Sequence, residues 1–279
     1  MRYDLCADIS VHQAGDPPKP IDFFRMRDAG AKCVWIRKHI GYYRDVAFEL
    51  NWEGAGSVPG LERSFYSVPY VGYNFGRQWE ALTTRKLVNG SIVPFDPAEA
   101  DRAAWCDVEY KHPLPLSTAV GLLLQWLNAM VGWGGRPDIY TAKYVWQDYY
   151  SKAKGWGEDW ALVAANYREG WYGLPVPDLV RRAIDAGDPL TPTGWEYTKQ
   201  GVLVPVRDRW QGWQFAADRN QLGATFGVRS RDIDLSIQGV EDDPTPGPPT
   251  EPPTDITTWL EELRAAHANS GRVIAEFPG

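Results

Sequence analysis

The sequence predicts an α/β chain: a (β/α) TIM-like barrel with some helices short or missing, followed by a Pro-rich linker and a short C-terminal helix. Three observations predict it. Short apolar runs alternate with longer amphipathic ones over residues 1–240, which is the pattern of a mainly parallel sheet. Eight such runs in that length fit one closed barrel. The first run ends Asp8-Ile9-Ser10-Val11-His12-Gln13, without the glycine-rich phosphate loop that usually follows strand one of an open doubly wound sheet, the competing arrangement.

In chain order the predicted strands are Leu5–Ser10, Cys33–Arg37, Tyr70–Phe75, Ala104–Glu109, Pro137–Thr141, Ala161–Asn166, Gly212–Ala216 and Ile233–Ile237. Amphipathic spacing predicts helices over Ile21–Ala29, Val46–Gly54, Pro97–Ala103, Ser117–Val131 and Ala142–Tyr150. Residues 241–255 hold the run Asp-Pro-Thr-Pro-Gly-Pro-Pro-Thr-Glu-Pro-Pro, a stiff linker with no apolar content to pack. Within 256–279, Ile256, Trp259, Leu260 and Leu263 share one side of a short helix ending at His267.

The chain has a net charge of −7, so it lacks the basic surface of a nucleic-acid binder. No apolar run is long enough to insert in a membrane, and nothing points to an obligate protein partner. The start, Met1-Arg2-Tyr3-Asp4, lacks the apolar core of a signal peptide. A protein made in the cytoplasm and acting outside it needs another route of release, such as phage lysis. Cys6, Cys33 and Cys106 are scattered and odd in number, which predicts buried reduced thiols rather than a disulfide framework. His12, His39, His112 and His267 show no ligand spacing, so neither metal nor cofactor is expected. The 14 Trp and 14 Tyr supply flat faces for sugar rings, or an aromatic-rich core.

In a parallel barrel the active site gathers at the C-terminal strand ends. Asp8 lies at the first, Asp107 and Glu109 at the fourth, and Asp234 in the last, with Asp232 a weaker candidate. Residues two apart on a strand share a face, so Asp107 and Glu109 are held together and one carboxyl resists ionisation. A protonated acid beside a carboxylate is the equipment for glycosidic cleavage. Alone, one Asp-x-Glu is more often a solvated strand end, because such triplets are common.

The residues resemble the glycoside hydrolase family 25 lysozymes, or muramidases, in a phage endolysin-like form. That family's Asp-x-Ser-x-x-Gln is Asp8-Ile9-Ser10-Val11-His12-Gln13 here. A Tyr/Asp and Phe/Asn pattern is echoed by Tyr43, Asp45, Phe48 and Asn51. Gly-x-Tyr-His-Phe at the third strand is similar to Gly72-Tyr73-Asn74-Phe75, and Asp-x-Glu to Asp107-Val108-Glu109. Ile-Tyr-Thr is matched by Ile139-Tyr140-Thr141, Trp-Gln-Tyr by Trp213-Gln214-Phe215, and Asp-x-Asn by Asp234-Leu235-Ser236. The resemblance implies an enzyme that hydrolyses the β-1,4 bond between N-acetylmuramic acid and N-acetylglucosamine, with peptidoglycan glycan strands as its partner. It implies Glu109 as general acid, with Asp107 as substrate-orienting group, nucleophile or base, and Asp8 and Asp234 as supporting carboxylates. Tyr73, Tyr140, Tyr167, Trp213 and Gln214 are the implied substrate-binding residues.

The sequence departs from the family at Arg37-Lys38-His39-Ile40-Gly41, where Lys-Ala-Thr-Glu-Gly is usual, at Asn74, and in the long segment 168–211, which holds Trp171, Tyr172, Trp195 and Tyr197. Two alternatives follow. One is a catalytically impaired glycan-binding barrel of a phage or wall-associated structural protein. The other is a chitinase-like hydrolase, although residues 102–109 lack the first two Asp of the chitinase Asp-x-x-Asp-x-Asp-x-Glu run.

Overall fold

The computed structural model describes residues 2–87, 89–152, 160–167, 169–171, 173–185, 196–199, 202–205, 210–217 and 219–240. The predicted linker 241–255, the helix within 256–279, and Tyr172 and Trp195 lie outside the described residues.

Eight strands close into one barrel: β1 (Arg2–Ile9), β2 (Cys33–Ile40), β3 (Glu62–Val68), β4 (Ala104–Asp107), β5 (Pro137–Ala142), β6 (Leu162–Ala165), β7 (Trp210–Ala216) and β8 (Asp234–Val240). Each strand pairs with the next in sequence, and β8 closes on β1. Strands β1 to β7 are parallel, while β8 runs antiparallel to both β7 and β1. That reversal matters for the site, because it puts the N-terminal end of β8 at the mouth, where the other strands end. Asp234 therefore sits directly across from Asp8.

Helices follow the strands unevenly: α1 (Val11–Ala14), α2 (Phe23–Asp28), α3 (Phe48–Gly56), α4 (Phe75–Thr83), α5 (Leu116–Gly132), α6 (Lys143–Asp148) and α7 (Val176–Asp185). Residues 219–233, between β7 and β8, carry turns and no helix. The longest, α5, shows why it forms: Ala119, Val120, Leu123, Trp126, Leu127 and Met130 recur at helical spacing and are all buried. In the first motif, Ser10 and Gln13 make a reciprocal capping box at the start of α1. Two residues of that motif thus shape the turn that leads the chain away from Asp8.

Three expectations are corrected. The third strand is Glu62–Val68, not Tyr70–Phe75. Pro69 ends it, having no N–H to give a neighbour, and Asn74 caps α4 by accepting from the Arg77 N–H at 3.0 Å. The predicted helix Pro97–Ala103 is one 3₁₀ turn, Pro97–Glu99. Cys6 and Cys33 are not separate thiols: they are register partners on adjacent strands, their Cα atoms 4.6 Å apart, and are joined in a disulfide. Cys106 stays free and buried.

The alternation of side chains separates two environments. Outward residues such as Val34, Ile36, Phe65, Ile139, Phe215, Leu235 and Ile237 are buried in the hydrophobic core. Inward residues are aromatic or polar, including Trp35, Trp105, Tyr140, Asp107 and Gln214. Trp105 stacks on Trp35 at 4.2 Å and on Tyr140 at 5.3 Å, at interplanar angles of 14° and 11°. This stack forms an apolar floor one inward position below Asp107.

Candidate active site

The strand ends converge three carboxyls. Asp8 closes β1 and is 7% exposed. Gln214 on β7 donates its Nε2–H to Asp8 Oδ2 at 3.1 Å, and the Tyr66 hydroxyl from β3 is near enough to act on the Asp8 charge. Burial pushes Asp8 up to about 7; Tyr66 opposes this, the Glu109 charge adds to it, and Arg37 and Gln214 oppose it. Asp107 ends β4 and is 8% exposed. Burial raises it well above the usual carboxylate range, and the charges of Glu109 and Asp8 raise it further. Its Oδ1 is buried with no hydrogen-bond partner among the described residues.

Glu109 lies two residues beyond. The Val108 N–H donates to Tyr140 O at 2.8 Å and Thr141 Oγ1 donates to Val108 O at 2.7 Å, pinning this segment to β5. Glu109 is half-buried and so the most open of the three. Burial pushes it up to about 7. Three acids resisting ionisation in one cluster hold protons at a pH where isolated carboxylates have lost them.

The remaining predicted residues divide. Asp234 is in register with Asp8 at the mouth and half-buried. Asp232 accepts the Gln221 N–H at 2.7 Å and fixes the preceding loop. Tyr140 and Gln214 are 4% and 1% exposed, so they sit beneath the mouth rather than on a groove wall. The Tyr140 and Tyr167 hydroxyls both donate to Gln214 Oε1, at 2.6 and 2.9 Å. Tyr167 is 43% exposed and offers ring surface to solvent. Trp213 is not brought to the mouth. Gln214 faces inward, so its neighbour faces out, where the Trp213 indole packs at 5.8 Å from Trp171 and donates to Asn166 O at 2.9 Å. Tyr73 stands on the loop after β3, packed on Tyr70, which meets Tyr110 edge-on at 5.2 Å.

Sequence reasoning missed Tyr66 and the pairing of Arg37 with Asp45. Tyr66 lies near the end of the third strand, in Ser64-Phe65-Tyr66-Ser67-Val68, and was lost when that strand was placed at Tyr70–Phe75. Arg37 and Asp45 form a buried ion pair at 2.8 Å. Asp45 also accepts the N–H groups of Val11 and Ala47, at 3.0 and 2.9 Å, so it ties the turn after β1 to β2. Among the described residues no three His, Cys, Asp or Glu side chains are placed to hold a metal ion. No described helix is long and apolar enough to cross a membrane.

One stability consequence follows directly. An Asp is near 4 when unfolded and Asp8 is near 7 when folded, so the native state binds its proton more tightly. That contribution is fully present below about pH 4 and is lost as pH rises through about 7. Asp8→Asn keeps an acceptor for Gln214 and removes the buried charge. It is expected to be more stable than wild type at pH 8 by at least about 1 kcal/mol, roughly 2–4 °C in Tm. The gain should vanish near pH 4. Urea melts of both proteins at the two pH values check this.

The barrel matches solved structures. It superposes on a family 25 glycosyl hydrolase from Bacillus anthracis with a TM-score of 0.56 at 14% identity, covering 86% of this chain and 90% of that one. For a family GH25 lysozyme from Aspergillus fumigatus the TM-score is 0.54 at 18% identity, covering 94% and 99%. For the bacterial lysozyme from Streptomyces coelicolor it is 0.54 at 17% identity, covering 86% and 93%. The chain has the fold of these family 25 proteins. No protein-family model matches the sequence, and no curated protein sequence matches it.

Proposed function

We propose that this chain is a peptidoglycan hydrolase, an N-acetylmuramidase that cleaves the β-1,4 bond between N-acetylmuramic acid and N-acetylglucosamine. The observation that carries the reading is Glu109: a half-open carboxyl held near 7, beside Asp107 and Asp8 at the mouth of a family 25-type barrel. Glu109 gives its proton to the leaving glycosidic oxygen. Asp107 is too enclosed to reach across a sugar freely. Its unpartnered Oδ1 suits an N–H donor, which the N-acetyl group of the reacting sugar carries. Asp107 would then orient that acetamido group so that its carbonyl oxygen meets the developing positive charge. Tyr167 and Tyr110 offer exposed ring surface, and the half-buried Tyr73 a further edge, along which the glycan would lie.

The test is product identity. Purified peptidoglycan incubated with the protein should yield new reducing ends on muramic acid. Reducing ends on glucosamine, or faster turnover of chitin oligomers than of wall, would overturn the bond assignment. Glycan binding without reducing ends would favour a non-catalytic barrel.

A further inference from the structure

Beyond the acid cluster, α4 braces a shelf of tyrosines at the mouth. The turn Gly41-Tyr42-Tyr43-Arg44 leaves the mouth end of β2 and pairs back on it, with Tyr43 opposite Ile40 and Arg44 opposite His39. Gly41 stands at φ +54° against the Tyr70 ring, where a Cβ would come within 2.9 Å of Tyr70 Cδ2. Glycine therefore lets the turn close on that ring. Buried Gln78 of α4 holds the Tyr70 backbone with both its polar atoms: Oε1 accepts the N–H at 2.7 Å and Nε2 donates to the carbonyl oxygen at 3.0 Å. Arg44 ties the far side of the turn to the same helix and its C-cap, donating to Glu80 Oε1 at 3.2 Å and Thr84 Oγ1 at 2.6 Å.

The shelf held in this way is continuous with the candidate site. Tyr70 meets Tyr110, the residue after Glu109, edge-on at 5.2 Å. Tyr43 is 60% exposed and packs on Tyr42 at 4.2 Å. The guanidinium of Arg77, from the first turn of α4, lies 4.4 Å from the centre of the Tyr42 ring. A guanidinium stacked on a ring by its face keeps its edge N–H groups for a planar anion. Arg77 is exposed and meets no carboxylate among the described residues. Neighbouring cations are committed, Arg37 to Asp45, Arg44 to Glu80 and Lys111 to Asp148.

We infer that Tyr42, Tyr43 and Arg77 form a subsite for the peptide stem borne by muramic acid, with a stem carboxylate on the Arg77 guanidinium and small apolar stem side chains on the exposed Tyr43 ring. The inference deepens the muramidase reading and rests on it for the substrate. The N-acetylated sugars of the backbone are neutral and give a cation nothing to pair with, whereas the stem brings free carboxylates. At the mouth itself Asp8, Asp107, Glu109 and Asp234 offer such a carboxylate no counter-charge, so the nearby shelf is where it is met. Because Gln78 and Arg44 fix the shelf before any ligand arrives, little ordering cost is left for binding.

The experiment compares two substrates, purified glycan strands with their stems and the same strands stripped of stems by an amidase. Reducing-end assays give kcat/KM on both for the wild type, Arg77→Gln, Arg77→Lys and Tyr43→Ala. These side chains are exposed, and thermal melts confirm that each variant is folded. The ratio of kcat/KM on stem-bearing strands to that on stripped strands should fall about tenfold in Arg77→Gln, carried by KM. Arg77→Lys, which keeps the charge but not the planar fork, should fall less, and Tyr43→Ala should lower the same ratio. A ratio unchanged in Arg77→Gln or Tyr43→Ala, whether neither substrate suffers or both suffer alike, overturns the proposal. A fall confined to wall that keeps its phosphodiester polymers, and lost once hydrofluoric acid removes them, assigns the anion to phosphate and overturns it too. Co-sedimentation of Glu109→Gln with stem-bearing and stripped sacculi, with and without Arg77→Gln, reads the subsite without turnover. If the wild type cleaves no wall, the muramidase reading fails while that sedimentation difference still decides the stem subsite.

Discussion

Glu109→Gln is expected to lower glycan cleavage by about 10²–10⁴-fold while the barrel stays folded. Gln keeps the shape and hydrogen-bonding reach of the protonated acid but has no proton to transfer. The side chain is half-buried at the strand end, outside the apolar core, so no cavity forms. Stability should move the other way. Glu109 is held near 7 in the fold against about 4.3 unfolded, so its carboxylate opposes folding above that range. The Gln variant should therefore melt no lower than wild type at pH 8. The pH profile supplies a second check. A general acid near 7 is lost as pH rises through 7, so wild-type activity should fall along a basic limb there. Reducing-end assays from pH 4 to 9, with the two proteins in parallel, read both effects. Wild-type rates in the Gln variant would remove Glu109 from the mechanism.

The carboxyl cluster was legible in the sequence because its logic is short-range. Asp107 and Glu109 share a face by strand alternation, and Asp8 lies at the end of an unmistakable apolar strand. What was not legible depends on pairing. The third strand was missed because its inward positions carry Ser64 and Tyr66 and its start carries Glu62 and Arg63. A barrel with a polar interior hides such a strand from an apolar-run criterion, and Tyr66 was lost with it. Trp213 was placed in the groove because a motif names neighbours together, whereas alternation sends Trp213 and Gln214 to opposite faces. The Cys6–Cys33 link joins residues 27 apart that only register brings side by side. Asp234 reached the mouth for a reason the sequence does not display: β8 runs antiparallel, so the residue that counts is at its beginning.

Trp105→Ala is expected to cost about 3–5 kcal/mol of stability, a fall in Tm of roughly 6–20 °C for a domain of this size. Trp105 is 1% exposed and lies between Trp35 and Tyr140 in the barrel. Its removal forfeits a full indole, two stacking contacts and the close packing of a rigid strand wall that cannot collapse inward. Its indole Nε1 has no hydrogen-bond partner among the described residues, so no new orphan acceptor adds to the loss. The cavity would open one inward position below Asp107, and with a carboxyl at its edge it is polar enough to take up water. Hydration there relieves the burial that raises Asp107, Asp8 and Glu109. The basic limb of activity should therefore move to lower pH in the Ala variant. Trp105→Phe, which keeps an aromatic floor, should lose less stability and hold the limb near its wild-type position. Urea melts and pH–rate profiles of both variants separate the two roles of the stack. A large loss of stability with an unmoved limb would mean that the charges of the three acids on one another, rather than the dry floor beneath them, keep the protons in place.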